Sequence, residues 1–498
     1  MNTSTKRQVL ESLNFGKRIA EEESAELGTY FVETSQWRKI WAGEVDVVYG
    51  AKGAGKSAIY ALLSKRADQL RERGIIVVAA ENPRGTPVFK DLVAEAPVGT
   101  HEFRHLWKLY FLSLLAQELR DRGTRGPDGE RVIGAIEDVG LLPRERNLRT
   151  LLRGVLDYVR RLGKIEAIEH SMQVDTMGGS NYSQRILLRE PNANEKNYGL
   201  VSVDTLLQQA QNAFEACDTH VWLLLDRLDV AFADSDKLEQ QALQALFHVY
   251  LDFQAYGNIA IKIFLRGDIW QRITTKGFRE ASHITRALTI SWDEEALLHL
   301  VVRRSLRNAD LRALYGVDEA EVMSSATRQR ELFYRMFPEK VDLGAKKPTT
   351  FDWILSRTRD GSGMTAPREL IHLLSCIRDA QMRHIEVGTD QSVGDTLFDR
   401  AAIREALPEV SRVRLEQTLY AEYPKLKTWL ERLDQEKTQQ TPETLAKIWG
   451  VRAPRALTIA GQLTDIGFFE RRGTKEKPVF WVPPLYRDAL RMIQGAAE

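Results

Sequence analysis

Cysteine is almost absent: Cys217 and Cys376 are the only two in 498 residues. They lie far apart with no metal-ligand spacing around either, which excludes a disulfide scaffold and fits reduced thiols in a cytosolic protein. Charge of one sign is lacking too, since 70 Lys and Arg face 69 Asp and Glu for a formal net charge of +1. No global field therefore draws the whole protein onto nucleic acid or membrane, and any nucleic-acid surface must be a local patch. Long apolar runs are missing: Val221-Trp222-Leu223-Leu224-Leu225 is strand-sized, far below a membrane span. The start, Met1 to Arg7, leads into no apolar core of signal-peptide length. A soluble cytoplasmic protein with no membrane partner is the expectation, and the length predicts about three domains.

What is present is a complete phosphate-loop pattern. Gly50-Ala51-Lys52-Gly53-Ala54-Gly55-Lys56-Ser57 fits G-x-x-x-x-G-K-[ST] without an exception. Gly50, Gly53 and Gly55 let the backbone turn tightly and aim its N–H groups at a polyphosphate. Lys56 supplies a point charge for the β and γ phosphates, and the Ser57 hydroxyl is a ligand for Mg²⁺. The β-branched run Val45 to Tyr49 precedes the loop, and Ser57-Ala58-Ile59-Tyr60 reads as a helix opening behind it. A helix N-terminus then faces the phosphates. The run Gly74 to Ala80 reads as a second buried strand, so the order β, helix, β argues for a parallel sheet. ATP with Mg²⁺ is the expected ligand.

The apolar run His220 to Leu225 ends in Asp226-Arg227-Leu228-Asp229. A strand tipped with a carboxylate beside the loop would hold the hydrated Mg²⁺, a role assigned to Asp226. In many ATPases a Glu follows that Asp and orients the attacking water, but here Arg227 stands in its place. Asp229 is the nearest alternative base, with a cap or structural ion pair as its other reading. The strand Ile259 to Leu265 ends in Arg266-Gly267-Asp268, which makes Arg266 a candidate γ-phosphate sensor. Arg272, Arg279 and Arg286 follow, each a surface charge or an arginine finger for a neighbouring subunit.

The remaining chain reads as three regions. Residues 1 to 40 are polar and helix-prone, with acidic Glu21-Glu22-Glu23 and aromatic anchors Phe15, Tyr30, Phe31 and Trp37. They form a covering segment or one that touches the base. Residues 41 to 295 form the core, with a helical insertion over about 84 to 200, whose helix Arg144 to Lys164 carries a basic row. That row is a solvated face or a nucleic-acid contact. Residues 168 to 198 read as loop. Residues 296 to 410 are helical; Ser291 or Asp293 caps the first helix, and Thr365 with Pro367 opens another. Arg368, in that first turn, is badly placed for its own helix dipole, which suggests a role at the nucleotide.

From 411 to 498, helix Pro442 to Gly450, a turn, helix Pro454 to Ile466 and a hairpin over Gly467 to Pro483 predict a winged helix. Arg452, Arg455, Arg471, Arg472, Lys475 and Lys477 could meet phosphates. Leu457 and Ile459 need core space, so DNA through 440–482 and protein docking both stand.

With these residues in hand the chain resembles P-loop ATPases of the AAA+/STAND branch, in particular bacterial defence-associated ATPases with a C-terminal winged helix. The resemblance is motif-deep at 50–57, 221–229, 260–268, 288–296 and 363–370. It implies ATP on Gly50 to Ser57, Mg²⁺ on Asp226, a first sensor at Arg266, and a second sensor at Arg368 in Ala366-Pro367-Arg368-Glu369-Leu370. The winged helix is similar to that of origin-recognition and helicase-loader ATPases. The implied fold is an α/β parallel-sheet P-loop core with helical insertion, helical lid and winged helix. The implied function is a slowly hydrolysing, oligomerising ATP/ADP switch in antiphage defence with an effector protein; the alternative is a DNA-binding initiator or loader. A small-molecule P-loop kinase fits the long chain and the winged helix poorly.

Overall fold

A computed structural model describes residues 3–16, 28, 31–81, 89, 99–124, 126–143, 147–171, 186–197, 200–228, 235–275 and 277–497. Glu21 to Glu23, Tyr30, Arg144, Arg146 and Asp229 lie outside the described residues. The chain divides into two compact units, a sheet unit (Gln36–Tyr49 and Lys56–Thr289) and a helical unit (Met1–Ser35, Gly50–Gly55 and Ile290–Glu498).

In the sheet unit the strands are β1 (Val47–Gly50), β2 (Ile75–Ala79), β3 (Ile186–Leu187), β4 (Val201–Ser202), β5 (His220–Leu225), β6 (Ile259–Arg266) and β7 (Ala287–Thr289). The central sheet runs β2-β5-β6-β1-β7. β2 pairs with β5, β5 with β6 and β1 with β7, all parallel. The near-continuous apolar runs suit strands covered on both faces, and Val221 to Leu225 are all buried. β6 stands between the strand that leads into the phosphate loop and the strand that ends at Asp226.

Between β2 and β5 come the helices Thr100–Asp121, Pro127–Asp138 and Leu148–Ser171, within the predicted helical insertion of about 84 to 200, and then helix Val203–Ala216, which leads into β5. Leu148–Ser171 is amphipathic: Leu152, Val155 and Val159 join the core, while Arg149, Arg153 and Arg161 are exposed. The expected loop over 168–198 is partly structured. Helix Ala193–Asn197 starts where Asn192 Oδ1 accepts from the Glu195 amide at 2.9 Å and Glu195 Oε2 accepts from the Asn192 amide at 2.7 Å. That reciprocal cap offsets the turn-forming composition.

A buried ion cluster sits at the start of β1. Asp46 Oδ1 accepts from Lys262 Nζ at 2.7 Å and its Oδ2 from Arg286 Nε at 2.6 Å. Lys262 also donates to the Val45 carbonyl at 2.8 Å and lies 4.4 Å from the Trp222 ring centroid. Burial pushes the Lys262 ammonium down, and Asp46 opposes that shift. Arg286 is thereby held beside the start of β1, and Arg272 pairs with Glu239 at 2.9 Å.

The helical unit contains helices Glu294–Leu306, Ala309–Tyr315, Ala326–Met336, Thr350–Thr358, Pro367–Glu386 and Arg400–Arg414, and a π-helical segment Leu415–Tyr420. The N-terminal helix Thr3–Ser12 packs here too, with Leu13 and Phe15 fully buried. Asp293, not Ser291, caps the first helix, accepting from the Ala296 amide at 2.7 Å. The cap of Pro367–Glu386 is Ala366 rather than Thr365. The Thr365 hydroxyl turns instead to the Leu355 carbonyl, and its backbone bridges to Arg359.

The C-terminal part is a winged helix: β8 (Lys437–Gln440), helices Pro442–Trp449 and Ala453–Asp465, β9 (Glu470–Gly473), β10 (Pro478–Trp481) and β11 (Ile493–Ala496). β10 pairs antiparallel with both β9 and β8. One hydrophobic cluster includes Leu13, Val301, Leu374, Leu445, Phe468 and Tyr486, so winged helix and helical region share a core. The fold is α/β: a parallel sheet whose strand β1 leads into the phosphate-loop sequence, with a helical insertion, a helical region and a C-terminal winged helix.

Helix Pro367–Glu386 is tied to helix Arg400–Arg414 by His384, whose Nδ1 lies 2.9 Å from Asp399 Oδ2 and whose Nε2 lies 3.0 Å from Glu405 Oε2. Burial disfavours the charged ring, but the two carboxylates outweigh it and raise the His384 pKa. A raised pKa gives stability that is complete below the ordinary value of about 6.5 and is lost as pH rises through the folded value. Glu405 is half exposed, so the contribution is held to about 1 kcal/mol or less. Melting His384→Gln beside the wild type should give a gap that is widest in mild acid and closes at alkaline pH; a constant gap would contradict this.

Candidate nucleotide-binding site

The phosphate loop leaves β1 at Gly50 and enters the helix Lys56–Lys65. Gly53 (φ +82°) and Gly55 (φ +103°) occupy the left-handed region that favours glycine. Gly50 ends the strand and is not at positive φ, so it is not one of the turning residues. Gly55 would have room for a Cβ, and its backbone angle alone demands glycine. Gly53 is required twice over: a Cβ there would stand 2.9 Å from Arg368 Cβ, 3.3 Å from Ala366 Cβ and 3.3 Å from Glu369 Oε2. The structure therefore brings the loop and the Ala366-Pro367-Arg368-Glu369 motif together within the helical unit.

Two further contacts hold the same loop. Trp292 Nε1 donates to the Ala54 carbonyl at 2.8 Å, and Lys52 forms an ion pair with Glu422. Neither was visible in the sequence, because each partner is hundreds of residues from the loop. Ala51 is partly buried and Ala54 fully so, while Lys56 is 9% exposed at the first turn of its helix, with Ser57 and Ala58 behind it. A lysine so buried, at the N-terminus of a ten-residue helix, suits a polyphosphate.

Asp226 is 5% exposed at the C-terminal tip of β5. Arg227 follows at φ +59°, a conformation a non-glycine residue adopts at a cost, and such outliers gather at functional sites. Asp229, the sequence candidate for the base, lies outside the described residues. Arg266 ends β6 and is held by its near neighbour: Nε and Nη2 donate to the two Asp268 carboxylate oxygens at 3.0 and 2.9 Å. Arg368 sits in the first turn of Pro367–Glu386, where Glu369 offers the dipole the negative charge that Arg368 does not.

In the winged helix, Lys447, Arg452, Arg455, Arg471, Lys475 and Lys477 are exposed. Arg472 is spoken for, donating to both Glu470 oxygens at 2.6 and 3.1 Å and stacking 3.8 Å from the Trp481 ring centroid. Ile459 is buried as expected, but Leu457 is 41% exposed and not in the core. It falls on the outer side of helix Ala453–Asp465, where Ala456, Ile459, Ala460 and Leu463 supply the inner side.

Among the described residues no helix is long and apolar enough to cross a membrane, and no group of three or more potential metal ligands occurs. No protein-family profile and no curated protein matches the chain. Among solved structures it is similar to the ORC1 protein of Aeropyrum pernix in complex with DNA, at 10% identity and a TM-score of 0.34, covering 92% of this chain and 91% of that one. It is also similar to the ORC2 protein of Aeropyrum pernix in ADPNP and ADP complexes, at 10% identity and a TM-score of 0.30, covering 94% of each chain. Both likenesses are loose.

Proposed function

We propose that the chain is an ATP-dependent ATPase of AAA+ type that uses its winged helix on duplex DNA. The observation that carries the nucleotide reading is the packing of Gly53 against Ala366, Arg368 and Glu369, which joins the phosphate loop to the second-sensor motif. In this reading the amides of Gly50 to Gly55 cradle the phosphates, Lys56 faces the β and γ groups, and Ser57 and Asp226 hold Mg²⁺. Hard oxygen ligands at both positions suit that ion, which when bound would neutralise charge on the phosphates. Arg266 and Arg368 sense the γ-phosphate, Arg266 by exchanging its bond to Asp268. With Arg227 where a catalytic Glu would stand, Asp229 orients water and turnover is slow, as in a switch.

The exposed cations of the second helix and the wing favour duplex as partner. Binding of a mixed-sequence duplex should fall with salt at a log–log slope of about −4, and Arg455→Ala/Lys475→Ala/Lys477→Ala should flatten it by about 2 to 3. Binding that ignores salt and the triple variant would count against the DNA reading. Exposed Leu457 favours a second reading, in which an effector protein docks on the same surface of an oligomeric switch, as the resemblance to defence ATPases implies. The mark of that reading is a mass in solution that grows with ATP while duplex has no effect.

A further inference from the structure

The loop-contacting residue Glu369 has a second partner that leads away from the nucleotide. Its Oε1 accepts from Arg414 Nη1 at 2.8 Å, and Arg414 Nη2 lies 3.7 Å from Asp360 Oδ2. All three side chains are largely buried, at 6%, 8% and 13% exposure. Asp360 is aimed by Ser362, whose amide and hydroxyl donate to its Oδ1 at 3.0 and 2.6 Å.

The next residue is welded to the winged helix. The Gly361 amide donates to the Gly467 carbonyl at 2.7 Å, and a Cβ on Gly361 would stand 2.3 Å from the Phe469 carbonyl oxygen. A Cβ on Gly467 would in turn stand 3.0 Å from Asp360 Oδ2. Gly467 lies just after helix Ala453–Asp465, and Phe469 immediately precedes β9. The contact therefore grips the joint between helix Ala453–Asp465 and the wing. Arg414 is also the last residue before the π-helical segment Leu415–Tyr420, a local irregularity of the kind found at moving or functional sites. Two residues beyond that segment is Glu422, the partner of Lys52 in the loop.

We propose that Glu369, Arg414 and Asp360 form a buried relay through which the state of the phosphate loop sets the joint between helix Ala453–Asp465 and the wing. The inference rests on the nucleotide-binding reading above. A buried charge trio moves as a group, because separating one member leaves another unpaired in low dielectric. The loop reaches both sides of the π-helical segment, through Glu369 on Arg414 just before it and through Lys52 on Glu422 just beyond it. A rearrangement of Lys52 and Gly53 around a triphosphate is thus passed to Asp360 and from there to Gly361, Gly467 and Phe469. Glu369 and Asp360 are positioning residues, with no contact to the phosphates required of Asp360.

The test is amide hydrogen exchange on the full chain with no nucleotide, Mg-ADP and Mg-ATPγS, beside a direct measurement of nucleotide binding. In the wild type, ATPγS should change exchange over Gly467 to Gly473 by at least about threefold. Asp360→Asn should bind ATPγS within about threefold of wild type yet show no such change, a split that mere destabilisation would not give. If Asp360→Asn does not fold, Ser362→Ala, which removes only the aiming hydroxyl, should give the same loss in smaller measure. Nucleotide binding without a response at 467–473, or a full response in either folded variant, would overturn the relay alone. A wild type that binds no nucleotide would overturn the binding reading and the relay with it.

Discussion

Lys56→Ala should lose Mg-ATP affinity by about 100-fold or more, because Lys56 is to make two charge-assisted bonds worth about 1.5 to 3 kcal/mol each. The side chain is almost wholly buried at the head of its helix, where an anion would meet a cation and a helix N-terminus together. The variant should still fold, since truncating a buried cation removes a desolvation cost along with its contacts. Competition of ATP against a fluorescent analogue, with a thermal melt alongside, separates the two effects. Lys56→Arg should recover little, because the planar guanidinium is longer and differently shaped than the point charge the loop surrounds. An unchanged affinity in Lys56→Ala would remove the phosphate loop from the account.

Asp46→Ala should be the most damaging single change to the sheet unit. It leaves the Lys262 ammonium buried against Trp222 with only backbone carbonyls as partners. Breaking a buried pair from one side costs about 3 to 5 kcal/mol. For a unit of this size that is about 10 °C in melting temperature. Removing both charges by Asp46→Leu with Lys262→Met should return most of the loss, because hydrophobic replacements of a buried pair come close to neutral. If the double variant melts as low as Asp46→Ala, packing rather than the uncompensated charge is what Asp46 provides.

The phosphate loop, the strand ending at Asp226, the strand ending at Arg266 and the winged helix were legible because each is local. Glycine at fixed offsets, an apolar run of strand length and a helix–turn–helix with a basic hairpin all declare themselves within about 30 residues. β8 was missed because Lys437-Thr438-Gln439-Gln440 has no apolar alternation; it is a strand because β10 and β11 pair on either side of it. The Thr365 cap failed for a similar reason, since Leu355 offered the hydroxyl a partner outside the helix. Trp292 on Ala54, Glu422 on Lys52 and the trio Glu369, Arg414 and Asp360 are long-range pairings, and nothing in residue order announces them. Leu457 counts as core by its hydropathy, and only the helix register turns it outward. The cellular setting, defence or replication, is carried by no side chain at all.

The central claim is that nucleotide on the loop governs the winged helix. The direct measurement is titration of a fluorescent duplex with wild type and Lys56→Ala in no nucleotide, Mg-ADP and Mg-ATP. The account predicts a duplex affinity that differs by about tenfold between Mg-ATP and no nucleotide in the wild type, within the usual range of coupling energies, and not at all in Lys56→Ala. A single wild-type affinity in all three conditions, with ATP bound, would contradict it.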